Sequence, residues 1–154
     1  MAKTYYDSDA DLGVLKNKVV AIIGYGAQGH AQAQNLRDSG IKVIVAEVPG
    51  SPNWEKAKKD GFSPVEASPA AKQGDIIQML VPDELQAGVY KQSIKDNLTK
   101  GKALGFSHGF NIHFHQIIPP TDVDVIMVAP KGPGVLVRKL YTDGSGVPAI
   151  FAVQ

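Results

Sequence analysis

The 154-residue chain contains no cysteine. That removes disulfide scaffolds, zinc–thiolate sites, iron–sulfur clusters and cysteine nucleophiles. No apolar run approaches the roughly 18 residues that a membrane span requires. Charge of one sign is not in excess. With 16 basic and 15 acidic side chains the formal net charge is +1, so the basic footprint of a general nucleic-acid binder is missing. The 16 glycines follow no fixed period, which excludes a collagen-like fibre. The opening segment Met1 to Asp7 lacks the basic-then-apolar pattern of a secretory signal. The expectation is a cytoplasmic protein with neither membrane nor nucleic acid as partner.

What is present is an alternation of apolar runs and helical patches. The length fits one domain, residues 1–154. Strands are expected at Val19–Ile23, Ile41–Ala46, Ile76–Val81, Ala103–Phe106, Val123–Val128 and Ala149–Val153. Between them, helices are expected at Ala27–Ser39, stopped by Gly40, and at Asn53–Lys59, capped by Asn53. A short helix opens at Ser68-Pro69 and runs to Gln73, with Ser68 as cap. A longer one spans Asp83 to about Leu98, with Leu85, Val89 and Ile94 on one face. Near-continuous apolar strands separated by helices imply a parallel sheet covered on both faces. The fold class is therefore α/β, a Rossmann-like doubly wound, mostly parallel sheet.

Gly24-Tyr25-Gly26-Ala27-Gln28-Gly29 is G-x-G-x-x-G, placed between a strand and a helix. Gly24 permits the tight turn, Gly26 lets backbone approach a pyrophosphate, and Gly29 lets helix pack on strand. The helix start then holds the phosphates through its N–H groups and dipole. The plain alternative is a glycine turn with no ligand. Glu47, at the end of the second strand, stands where an acidic residue would bind the adenosine ribose; the alternative is a solvated loop glutamate. The loop Val48 to Asn53 holds no Arg or Lys to pair with a 2′-phosphate. A carboxylate about 4 Å from that phosphate would repel it by roughly 1–4 kcal/mol per unit charge. Ser51 and Asn53 remain as hydrogen-bond donors. The cofactor is NAD(H) or NADP(H), with NADH preference or dual use expected.

Ligands of open α/β sheets lie outside the carboxyl ends of the strands. Five segments follow strands there: the glycine loop, Glu47 with its loop, Pro82-Asp83-Glu84-Leu85-Gln86, Ser107-His108-Gly109-Phe110-Asn111 and Pro130-Lys131-Gly132-Pro133-Gly134. His108 is the candidate catalytic residue, because a histidine at such a rim can donate, accept or shuttle a proton. Lys131 is the candidate cation for a substrate carboxylate or phosphate. His113 and His115 form an H-x-H pair, but no neighbouring acidic ligand or helical spacing makes them a metal site. His30 is expected to pack within its helix, and Trp54, Tyr5 and Tyr6 to serve packing.

The stretches GYGAQGHAQAQNLRDSG, LVPDELQAGVY, FSHGFNIHF and DVIMVAPKGPG, in that order, resemble the amino-terminal domain of ketol-acid reductoisomerase. The likeness covers essentially the whole chain. It implies reduction of 2-acetolactate-type (2-hydroxy-3-keto) acids to 2,3-dihydroxy acids, a magnesium-dependent alkyl shift preceding hydride transfer. By this resemblance Tyr25 to Gln28, the Val48 to Asn53 loop, Asp83 to Gln86 and Gly134 would contact the dinucleotide. His108 matches the family's active-site histidine, and Lys131 a lysine near the substrate. Two departures accompany the likeness. The family commonly carries arginine where Val48 stands and serine where Asn53 stands, both serving the 2′-phosphate. The family's magnesium ligands belong to a second, all-helical domain, and no matching carboxylate set occurs here; two-metal chemistry needs several converging Asp or Glu. The chain is accordingly expected to be the cofactor half of such an enzyme, inactive alone, with magnesium and homo-oligomer contacts in the other half. Two readings compete: a stand-alone dinucleotide-sensing module, and another Rossmann dehydrogenase of the 3-hydroxyacid type. The SHGFNIHF and APKGPG stretches argue against the second.

Overall fold

The computed structural model describes residues 3–154. Six strands form one sheet: β1 Val19–Ile23, β2 Lys42–Ala46, β3 Ile76–Met79, β4 Ala103–Phe106, β5 Asp124–Pro130 and β6 Ala149–Val153, in the order β2-β1-β3-β4-β5-β6. The first five strands are mutually parallel and β6 runs antiparallel to β5. A single parallel bridge, Ala46 to Val65, lies beyond β2. It stands where a doubly wound dinucleotide fold places the outer strand of its first half. The strand order therefore reverses between β1 and β3, the position at which such sheets open a crevice.

Alternation along the strands divides the core into two layers. Val20 and Ile22 face one cluster with Tyr25, Ala33, Ile41 and Val45. Ala21 and Ile23 face the other with Ile77, Met79, Leu104, Phe106 and Ile94. Helix α1, Ala27–Asp38, covers the first layer. Helix α3, Ala67–Gln73, supplies Ala70 and Ala71 to the second.

Several local expectations are corrected. Helix α2 is Pro52–Lys59, and its cap is Ser51, whose hydroxyl accepts from the Trp54 N–H at 3.1 Å; Pro52 occupies the first turn, where it gives up no helical hydrogen bond. Helix α3 starts at Ala67, two residues earlier than a Ser68 cap allows, with Glu66 at its boundary. β3 stops at Met79, although the Leu80 N–H still bonds the Ile23 carbonyl at 2.8 Å. β5 is shifted to Asp124–Pro130.

The long helix is interrupted. Helix α4, Asp83–Val89, passes into a π turn at Tyr90–Ile94 and a 3₁₀ turn at Lys95–Asn97. A π turn rotates the following residues relative to an α-helix. Ile94 is buried as expected, together with Gln86 and Tyr90, while Leu85, ahead of the π turn, is exposed.

Two helices lie where the sequence reading assigns none: α5, Phe110–His113, and α6, Gly134–Thr142. α6 packs on α1 through a close, polar seam. A Cβ on Gly134 would collide with the Ala27 carbonyl. Arg138 binds Asn35 Oδ1 at 2.8 Å and Asp38 Oδ2 at 2.6 Å, and the hydroxyls of Ser39 and Tyr141 are 2.7 Å apart.

Candidate functional site

At the switch point the strand ends enclose a cleft of about 450 Å³. Its wall includes Gly26, Ala27 and Gln28 from the glycine loop, Val81, Pro82, Asp83 and Gln86 after β3, Ser107 and His108 after β4, and Pro130 at the end of β5. Asn53 from α2 closes the side nearest β2. All five segments expected at the rim thus reach one cleft, the Glu47 loop through Asn53, which the fold places in the first turn of α2.

The three fingerprint glycines have separate physical reasons. Gly24 has φ +101, and a side chain there would strike the backbone of Val81. Gly29 presses its Cα on the Gly24 carbonyl, so that any Cβ would collide. Gly26 has open space in front of it, with no atom within 4 Å of where a Cβ would project. It is also the N-cap of α1, whose opening N–H groups and dipole favour an anion.

Glu47 reaches back to this loop. Its Oε1 accepts from the Tyr25 N–H at 2.6 Å and from Asn53 Nδ2 at 3.3 Å, and its Oε2 accepts from the Val48 N–H at 3.0 Å. The carboxylate is thereby fixed between the glycine loop and α2. Val48 is exposed, and the Ser51 oxygen is engaged as the α2 cap.

The Tyr25 side chain is fully buried under the loop, against Phe62 and His30, and donates to Asp60 Oδ2 at 3.0 Å. Burial foremost, and then the Asp60 hydrogen bond, push its phenol well above the ordinary value. Only its backbone therefore reaches the loop surface.

His108 is 69% exposed, and its Nδ1 lies 3.2 Å from Asp83 Oδ2. Asp83 Oδ1 accepts from Gln86 Nε2 at 3.1 Å. The Gln86 oxygen accepts in turn from buried Asn111 at 3.0 Å, and Asn111 also donates to the Asp83 carbonyl at 2.9 Å. A rigid bracket thus stands beneath an accessible imidazole that can hold or pass a proton. Lys131 is exposed one residue beyond the cleft wall, its N–H bonded to the Pro148 carbonyl at 2.8 Å. Glu84 and Leu85 are exposed on α4 outside the wall, and Gly134 is buried at the α1–α6 seam.

Sequence reasoning missed a row of glutamines behind the cleft. Gln78 in β3, Gln32 and Gln28 in α1, and Ser107 after β4 are hydrogen-bonded to one another. The visible signal was a glutamine inside the apolar run IIQMLV, facing a helix that carries glutamines four residues apart.

Among the described residues no group of three or more His, Cys, Asp or Glu could hold a metal ion. No helix among them is long and apolar enough to cross a membrane.

Comparison with known proteins agrees with this geometry. Residues 14–154 match the family described as acetohydroxy acid isomeroreductase, NADPH-binding domain. The ketol-acid reductoisomerase (NADP(+)) of Petrotoga mobilis is 61% identical over 154 residues, all of this chain and 47% of that protein. The chain thus spans about half the length of the curated relative it matches. The solved NADH-preferring ketol-acid reductoisomerase from an uncultured archean superposes with a TM-score of 0.93 at 53% identity, covering 96% of this chain and 46% of that one. The 3-hydroxyisobutyrate dehydrogenase of Mycobacterium tuberculosis has a TM-score of 0.69 at 15% identity over 88% of this chain and 46% of its own, a likeness of fold alone.

Proposed function

Since the chain belongs to the acetohydroxy acid isomeroreductase family, of which it carries the NADPH-binding domain, we propose that it is the hydride-carrier half of a ketol-acid reductoisomerase. It binds NADH or NADPH across the switch-point cleft and needs a second, helical half for turnover. The observation that carries this reading is the open Gly26 at the start of α1, facing the cleft that His108 rims.

The N-terminus of α1 would hold the pyrophosphate, where Gly26 leaves room and Ala27 and Gln28 form the wall. Glu47 accepts the adenosine ribose hydroxyls from the end of β2. Ser107, His108 and Pro130, at the ends of β4 and β5, would hold the nicotinamide half. A bound dinucleotide supplies hydride to a 2-acetolactate-type acid. His108 holds or moves a proton at the reacting oxygen, and Lys131, on its loop at the rim, offers a charge to the substrate carboxylate. Pro82 sets the start of α4 at the cleft edge, and Leu85 and Glu84 offer exposed side chains beside it. NADH is preferred or used alongside NADPH, because Val48 and Asn53 bring no cation to the 2′ position and Glu47 brings a negative charge. Magnesium and the contacts that build a homo-oligomer come with the helical half. The whole enzyme works in the cytoplasm without nucleic acid.

Trp54 is the chain's one tryptophan and sits beside Asn53 of the cleft wall, so energy transfer from it to NADH reports binding directly. Saturable binding of NADH, no more than tenfold weaker than NADPH, is expected. Mixing with the helical domain of a relative should restore magnesium-dependent turnover of acetolactate. A chain that binds neither cofactor, or that turns acetolactate over alone, overturns the reading.

A further inference from the structure

The polar row behind the cleft has a direction. Gln28 Nε2 donates to the Gly132 carbonyl at 3.0 Å, and a carbonyl can only accept. The Gln28 oxygen must then face Gln32, whose Nε2 donates to it at 3.2 Å. That leaves the Gln32 oxygen to accept from Gln78 Nε2 at 3.4 Å. One backbone carbonyl thereby sets the orientation of three amides.

The second hydrogens of two of those amides meet at Ser107. Gln32 Nε2 donates to its Oγ at 3.1 Å and Gln78 Nε2 at 3.4 Å. A hydroxyl has two acceptor positions and one proton to give. Both acceptor positions are filled, and the hydroxyl makes no donor contact among the described residues. Ser107 itself lines the cleft.

The arrangement is built rather than incidental. Gln78 is 7% exposed in the middle of a sheet. Its register partner on β4 is Gly105, where any Cβ would collide with the Gln78 oxygen. A buried amide in the sheet, and a glycine that clears space for it, make sense if the amide aims something.

We propose that the Ser107 hydroxyl is an outward-pointing donor that binds an acceptor atom on the nicotinamide half of a dinucleotide, held in that sense by Gln78 and Gln32. This rests on the cofactor reading above, with Glu47 at the adenosine end and β4 toward the nicotinamide end.

The test compares NADH with ADP-ribose, which lacks the nicotinamide, by calorimetric titration, with thermal melts as a fold control. Ser107→Ala should weaken NADH about 2- to 10-fold, the range of one net hydrogen bond, and leave ADP-ribose unchanged. Gln78→Glu should do the same without deleting the hydroxyl. With its carboxylate ionised, Glu at 78 offers Ser107 only acceptors and turns its proton inward. It also serves if Ser107→Ala fails to fold. Ser107→Thr, which keeps the hydroxyl, should restore NADH affinity. Unchanged NADH affinity in both Ser107→Ala and Gln78→Glu, or an equal loss for ADP-ribose, overturns the proposal while leaving the cofactor reading intact. A wild-type chain that binds neither ligand overturns both.

Discussion

The carboxylate of Glu47 accepts a hydrogen bond from the backbone N–H of Tyr25 at 2.6 Å, tying the end of β2 to the glycine loop. A second bond, from the Val48 N–H at 3.0 Å, fixes its other oxygen. Glu47→Gln would turn an amide N–H toward one of these donors and remove the negative charge. NADH binding should weaken, and the Kd ratio of NADPH to NADH should fall by at least about fivefold, the low end of the expected charge repulsion. Parallel fluorescence titrations check this; an unchanged ratio would show that Glu47 does not read the 2′ position.

Tyr25 tests whether the glycine loop is supported from below. Its hydroxyl donates to Asp60 at the end of α2 and its ring is fully buried. Tyr25→Phe should cost about 0.5–1.5 kcal/mol, or roughly 1–6 °C in Tm for a chain of this size. Cofactor affinity should stay within about twofold, since the side chain does not reach the cleft. A large loss of affinity with unchanged Tm would contradict that placement.

The seam between α1 and α6 leaves no room at Gly134. Gly134→Ala must separate the two helices and strain the Arg138 contacts to Asn35 and Asp38. A loss of about 1–3 kcal/mol is expected, as for other overpacked sites. Ala at Gly26, where space is open, should leave stability nearly unchanged and weaken dinucleotide binding instead.

His30 gives the chain a pH dependence of defined sign. Burial lowers its pKa below the ordinary 6.5, with Lys56 and Arg138 lowering it further against an opposing pull from Asp60. The unfolded chain therefore takes up the proton more readily. Stability from this group is complete above 6.5 and falls as the pH drops through 6.5 toward the folded value. His30→Gln should narrow its Tm difference from wild type, or overtake it, between about pH 7 and about pH 5. A difference that widens on acidification would reverse the assignment.

The strands were legible because Val19–Ile23 and its parallel neighbours are buried on both faces, which leaves an unmistakable apolar run. The glycine fingerprint was legible because each glycine answers a local steric demand. Helix α6 was not, because its contact with α1 is made by Gly134, Arg138 and Tyr141 rather than by an apolar stripe, and Val135 faces solvent. The π turn after Val89 was hidden for another reason. It answers to tertiary partners, the Ile94 core position and the Tyr90 hydroxyl bond to the Ile118 carbonyl, none of which leaves a periodic trace. Ser107 carried no mark of its own; its part is visible only through the amides around it.

The Gly132 carbonyl that orients the glutamine row belongs to the backbone, and no substitution at 132 can turn it into a donor. Change must then enter at 28, 32 or 78, and a glutamate at any one of them alters what its neighbours can offer. Across sequences that keep this fold, these three positions should vary in concert with Ser107, as a single inherited unit rather than as four independent sites.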